Sequence, residues 1–427
     1  MKRLSLLLSV LLLFGLAACS ESSPEDESVL NYKQVQTGLN HTVLLTENGE
    51  VYTWGASLYG VLGNGVSSID LNYNEPINIT EKFNLNENEF ITRIYAGIDF
   101  NFALTSEHRV FAWGNNQFNS LGINPKGIIT IPRDITNLIG LREGETIEHI
   151  SINWHSFILT SDHRVIAFGS NLYGQIGNMK KSSLETTGEL FTDITDNFFL
   201  NDEEKILFVH ADNRHSWAIT SEFRVFIWGT ISTTLIATFP IDKPVTIALN
   251  DKEEIIDVAS PNIPGFKTNE GTLFVIGTRL TLPENTLELV AYPINENLNL
   301  DEDDQIKDIY QNQGIQRLNG IVVTEKGLII PWGSNPYGEL GYDPGRNVTI
   351  NPPYLDEDET YTSIHDNFSL EDEETIVQIS IGRNHVILVT SLNRVFTWGR
   401  NTYGTLGDGT FEDRMTPFLV SINPNQS

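Results

Sequence analysis

The chain is predicted to be all-β: a seven-bladed β-propeller of four-stranded antiparallel blades. Three observations carry that prediction. An aromatic or aliphatic residue followed by glycine recurs seven times, at Trp54, Trp113, Phe168, Trp228, Ile276, Trp332 and Trp398. A threonine stands eight residues before each of these anchors, at Thr46, Thr105, Thr160, Thr220, Thr268, Thr324 and Thr390. The anchors are 48 to 66 residues apart, room for a few short strands and their turns but not for a separate domain. Fixed self-similarity at such a period is the mark of solenoids and propellers.

Each repeat reads as four strands in order. QVQTG (34–38) and QISIG (378–382) are β-branched or alternating runs that open their repeats. HTVLLT (41–46) follows, then the turn ENGE, then VYTWG (51–55). Five residues before the anchor the turn carries Gly49, His108, His163, Phe223, Gly271, Gly327 or Asn393. Gly and Asn, and His less often, accept positive φ, so a left-handed hairpin residue is expected there, with Phe223 either strained or in a different turn. The third strand is apolar on both faces, as Val395 and Phe396 show in RVFTWG. A sheet of that kind must be covered on both sides, which radial packing of blades provides. A fourth strand follows a proline, as in PINIT (76–80) and PFLVSI (417–422).

Between the third and fourth strands most repeats carry a glycine-rich loop, TWGRNTYGTLGDGT (397–410) being the fullest copy. It lacks the lysine and hydroxyl of a phosphate loop and opens no helix. Its glycines are therefore read as backbone freedom for a sharp bend. Tyr59, Phe118, Tyr173, Tyr337 and Tyr403 are expected to pack that bend with Leu62, Leu121, Leu340 and Leu406.

The pattern G-x-x-H-x-x-x-L-T … V-x-x-W-G-x-N-x-Y-G-x-L-G resembles the repeats of the regulator of chromosome condensation family. The resemblance covers residues 31–427; it is strongest in repeats one, two, three and seven and weakest in four and five. It implies seven blades, and it implies ring closure with sequence repeats out of phase with blades. PFLVSI would then complete the blade of Trp54 and join the chain ends. The family's activity of nucleotide exchange on a GTPase conflicts with an export signal, which the N-terminus supplies.

Lys2 and Arg3 precede the apolar run Leu4–Leu16, and Leu16-Ala17-Ala18-Cys19 follows. This is a secretory signal over residues 1–18, and its ending resembles a bacterial lipobox. Cys19, the only cysteine, is the expected lipidation site, with residues 19–30 as a polar tether. The lipid places the protein outside the cytoplasm, on the cell membrane or, in a two-membrane envelope, the outer membrane.

The net charge of −29 becomes −31 without Lys2 and Arg3, 25 basic against 56 acidic residues. Nucleic acid is excluded as a partner, and a basic protein or a glycan fits better. LNENE (85–89), LREGE (141–145), LNDEE (200–204), LNDKEE (249–254), LDEDD (300–304) and LEDEE (370–374) precede first strands and should form an acidic crown on one face. They are read as solubilising loops, with no defined calcium loop among them.

His41, His155, His215 and His385 lie thirteen residues before their anchors in different repeats, so they are expected to make inter-blade hydrogen bonds rather than a metal site. His149, His210 and His365 fall outside that register and suggest nothing specific. No catalytic, cofactor or metal-binding residues are assigned. Function is sought where the repeat breaks: after Gly229, after Gly277, and in the insertion 348–368 with Tyr354, Tyr361 and Phe368. The expected function is a membrane-anchored interaction scaffold. Inhibition of an extracellular enzyme and polysaccharide turnover are the alternatives.

Overall fold

The computed structural model describes residues 31–421 except 182–188, 231–235, 244, 248, 261–262, 282–285, 294–297, 299, 302, 313–318 and 343–362. Seven sheets are arranged as seven blades of a propeller, in phase with the sequence repeats. In blade one, Tyr32–Thr37, His41–Thr46, Val51–Ala56 and Asn72–Asn78 pair antiparallel in chain order. Blades two, three, four and seven repeat this. Blade five gains a strand, Val245–Ile247, added parallel to its outer strand Thr286–Pro293. Blade six shows three strands among the described residues.

The two-faced third strand behaves as its sequence demands: every residue of Val51–Ala56 is buried. Positive φ occurs at all seven hairpin positions, from 57° to 85°. Phe223 adopts the same left-handed turn as the rest, at φ 57°, so strain is accepted there in preference to a different turn.

The recurring threonine explains itself. Thr160 Oγ1 donates to Glu145 Oε1 and accepts the Arg164 amide at 3.2 Å, so one hydroxyl ties the acidic loop to the hairpin. Glu145 also accepts the Arg142 amide at 2.7 Å and an Arg164 guanidinium N–H at 2.6 Å. Arg164 reaches Asp193 of the fourth strand at 2.9 Å. Glu89 with Arg109, Glu204 with Arg224 and Glu374 with Arg394 repeat the ion pair. The crown is thus split: one carboxylate of each loop is buried (Glu89, Glu145, Glu204, Glu253, Asp304 and Glu374), while Glu143, Asp202, Glu203, Asp372 and Glu373 are exposed.

Arg164→Ala would leave Glu145, whose side chain is wholly inaccessible, without its cation. Breaking a buried pair from one side costs about 3–5 kcal/mol. Chemical denaturation should show a loss of that order, and Glu145→Gln combined with Arg164→Ala should recover part of it.

Ring closure differs from the strand exchange implied by the family resemblance. Arg414–Val420, which contains most of PFLVSI, pairs with Val395–Gly399 in its own blade and does not join the blade of Trp54. Closure comes instead from packing of blade seven on blade one. The Val35 amide donates to Gln378 Oε1 at 2.8 Å, and Gln378 Nε2 returns a bond to Val35 O at 3.0 Å. The Thr37 amide donates to Ser380 Oγ at 2.9 Å.

The glycine loop completes the seam. Trp54 Nε1 donates to Thr405 O at 2.8 Å. The same bond links Trp113 to Val61 O, Trp228 to Gln175 O and Trp398 to Glu339 O. The loops of blades one, three and six therefore cap the tryptophan of the next blade, and the last loop caps the first tryptophan; blade two has the loop but faces Phe168. This bond accounts for the irregular repeats. Blade four lacks the loop, and blade five has Ile276 in place of tryptophan. Blade five also lacks it, and the buried Trp332 indole N–H of blade six has no hydrogen-bond partner among the described residues. Where the loop is lost, Leu273–Thr281 and Thr286–Pro293 form a long hairpin instead.

One element was not anticipated. A single helical turn follows the fourth strand at Thr80–Phe83 and Thr195–Phe198, and another, His365–Phe368, precedes the last blade. Each drives a phenylalanine edge-on against a tryptophan, Phe83 on Trp113 at 5.6 Å and Phe198 on Trp228 at 5.5 Å. Phe368 does the same on Trp398 at 5.6 Å. Phe368 is core, which corrects its reading as a contact residue; Tyr354 and Tyr361 lie outside the described residues.

Candidate interaction faces and axial channel

Antiparallel order fixes which loops share a face. The entry to the first strand, the hairpin between strands two and three, and the exit of strand four lie together. That face carries the acidic loops and hairpins, and Asn86 Nδ2 joins the two by donating to Glu107 Oε2 at 2.6 Å. Glu87, Glu107, Asp162, Glu222 and Asp251 are exposed there. Burial disfavours ionisation of Glu145, yet the Thr160 hydroxyl, the Arg142 amide and Arg164 hold its carboxyl below the usual range. The same opposition, decided the same way, governs Glu89, Glu204 and Glu374.

The opposite face carries the turns between strands one and two and the glycine loops. Its chemistry is different. The Arg214 guanidinium lies 5.1 Å from the centre of the Tyr173 ring, and that of Arg400 lies 4.6 Å from Tyr337. Each arginine comes from the blade after that of its tyrosine. Phe118 meets Trp154 edge-on at 6.2 Å across the next such boundary. Tyr59, Phe118, Tyr173, Tyr337 and Tyr403 are half-buried, so they do not seal the bend as core residues; the leucines do, Leu62, Leu121, Leu340 and Leu406 being buried. Asn401 holds the loop shape: its Oδ1 accepts the Leu406 amide at 3.0 Å and its Nδ2 donates to Asp408 and Thr410 O. No phosphate-binding role remains for glycines so engaged.

Between the faces runs an axial cavity of about 300 Å³. The first strands of six blades line it: Tyr32–Thr37, Ile91–Ala96, Ile147–Ile152, Ile206–Ala211, Ile306–Gln311 and Ile376–Ile381. Side chains here substitute for strand pairing. Gln34 bonds both the amide and the carbonyl of Ile94 in the next blade, each at 2.8 Å. Ser151 accepts the Ala211 amide at 2.9 Å.

Two of the four repeat-register histidines, His41 and His155, make the expected inter-blade bonds; His215 turns to its own blade and the buried His385 Nε2 meets no hydrogen-bond partner among the described residues. His41 Nε2 meets Asn101 Oδ1 at 2.8 Å and His155 Nε2 meets Ser216 Oγ at 2.7 Å, each partner belonging to the next blade. Burial holds His41 down to about 4 against the Asn101 hydrogen bond, and His385 down to about 3. His215 faces Asp212 at 3.1 Å. No group of three or more potential metal-ligating side chains occurs among the described residues.

His149 and His210, which the repeat register had set aside, line the channel with Tyr95 and Tyr310. Burial lowers both imidazoles to about 4. A signal for them exists in the sequence. Position four of each first strand stays aliphatic (Val35, Ile94, Ile150, Val209, Ile309, Ile379), while positions three and five change chemistry from blade to blade. Cys19 and the tether lie outside the described residues, and among those described no helix is long and apolar enough to cross a membrane.

Comparison with known proteins agrees with this architecture. Two family models described as the regulator of chromosome condensation (RCC1) repeat match the chain, one at residues 32–61, 91–120, 153–175 and 376–405, the other at 48–104 and 393–427. The ultraviolet-B receptor UVR8 of Arabidopsis thaliana is 24% identical over 414 residues, covering 93% of this chain and 72% of its own. The E3 ubiquitin-protein ligase HERC2 of Homo sapiens is 24% identical over 356 residues, 77% of this chain but only 6% of the ligase. The crystal structure of human WBSCR16 is similar in fold, with a TM-score of 0.63 at 20% identity over 87% of this chain and 94% of that one.

Proposed function

Because the chain is built from regulator of chromosome condensation repeats, we propose that it serves as a lipid-anchored, extracytoplasmic scaffold whose aromatic and arginine-bearing face binds a protein partner. The observation that carries this reading is the set of arginine–tyrosine stacks at blade boundaries. Arg, Tyr and Trp are the residues enriched in protein interfaces and in their energetic centres. They are half-exposed here on a rigid support, so little entropy is lost on binding. No motif of catalysis competes with it.

The anchor fits this orientation. The first strand begins at Tyr32 on the acidic face, so an anchor at Cys19 would connect to the ring from that side. Twelve residues extend at most about 40 Å. An anionic bilayer repels the acidic face, which leaves the aromatic face turned outward.

Cys19→Ser should move the protein from the membrane to the soluble fraction of cells. That soluble chain, used as bait on native cell surfaces, should retain a partner that Arg214→Ala with Arg400→Ala loses, at unchanged melting temperature. A partner held equally by the double variant would sink the assignment of the face, and membrane retention of Cys19→Ser would sink the anchor.

A further inference from the structure

We propose that the axial channel is a binding site for a small, neutral, polyhydroxylated ligand of saccharide chemistry, held by Gln36, His149, His210 and Gln311. Among the described residues that line it there is no Asp, Glu, Lys or Arg, although the chain has 83 such residues. Arg93, Asp212 and Asp308 act on the lining groups from behind but are not among the described residues that line the cavity, so a charged ligand would be desolvated without a direct partner there. Burial keeps His149 and His210 uncharged near neutrality, so the lining remains neutral.

What the channel offers is hydrogen-bonding groups that both donate and accept. The amides of Gln36 and Gln311 and the imidazoles of His149 and His210 meet no hydrogen-bonding protein group among the described residues. Their counterparts Gln34, Gln378 and Ser380 are spent on neighbouring strands. Amides and neutral imidazoles match hydroxyl groups, which also donate and accept. Tyr95, with His149 edge-on at 6.1 Å, and Tyr310 add ring surface for the C–H faces of a sugar. A cavity of about 300 Å³ sits at the lower end of ligand-site sizes, suited to one or two sugar rings. These groups lie on five different blades, so only a closed ring assembles them. The inference does not depend on the partner-binding face, which lies outside the channel.

The test is calorimetry or ligand-observed NMR on the purified full chain with a panel of neutral mono- and disaccharides, alongside zinc alone. Saturable binding of at least one saccharide is expected, weakened about tenfold by Gln36→Ala and again by His210→Ala, each removing about one hydrogen bond. Gln311→Ala is a third variant in case one of these melts early. Absence of saccharide binding overturns the proposal. So does binding that all three variants retain, and so does zinc uptake abolished by His210→Ala with no saccharide bound. Failure here would leave the Arg214 and Arg400 experiment intact.

Discussion

Gly404→Val should open the ring at its seam, with a loss of about 3–5 kcal/mol. Gly404 has φ +74°, where a β-branched residue pays about 1–2 kcal/mol. An added Cβ would also stand 2.6 Å from Asn74 Cα and 2.8 Å from Tyr73 O in blade one. Those are backbone atoms, so the blade itself must move, and overpacking adds about 1–3 kcal/mol. At Gly407, one bend later, an added Cβ would stand 2.8 Å from Trp54 Nε1, so the loop lies close on the indole and its displacement also strips the Trp54 cap. Gly140→Val isolates the conformational part, since Gly140 has φ +78° with no atom within 4 Å of an added Cβ. Denaturant titration and limited proteolysis of both variants decide the point. Equal destabilisation would mean that the seam contributes nothing beyond backbone strain.

Stability should fall steeply as pH drops from about 6.5 to about 4. Burial lowers His41, His149 and His210 to about 4, His385 to about 3, and His155 well below its ordinary value. Unfolded, each titrates near 6.5. Between the two values the unfolded chain binds protons that the native chain refuses, so stability rises with pH across this window and is lost on acidification. The slope is on the order of 1 kcal/mol per pH unit for each histidine. Asp99 acts in the opposite sense: burial pushes it up to about 6 despite the Asn115 hydrogen bond, so the native state holds that proton longer. One such group offsets one histidine. Below about 4.5 the depressed carboxylates of Glu89, Glu145, Glu204 and Glu374 continue the loss. Melting curves and proton uptake on unfolding at pH 5 measure this directly. A melting temperature unchanged from pH 7 to pH 5 would contradict it.

Strand order, hairpin geometry and the structural role of the glycines were legible because they are local and recur. Seven copies of Thr-to-anchor spacing define a hairpin whatever surrounds it, and even Phe223 obeys the turn that its position requires. The inter-blade role of His41 and His155 was legible for the same reason: a polar group at one register in separate blades has only a neighbouring blade to meet.

The seam, the buried acids and the channel were not legible, and each for a physical reason. A period shows that loops and tryptophans recur, but not that Thr405 caps Trp54 across 351 residues; only the curvature of the ring brings the last blade against the first. Glu145 and Glu143 look alike in LREGE, and burial separates them because one reaches Thr160 and Arg164. A polar strand face reads the same whether it meets solvent or a shared axis. His149 and His210 acquire common surroundings once six first strands converge, and convergence belongs to the tertiary structure alone.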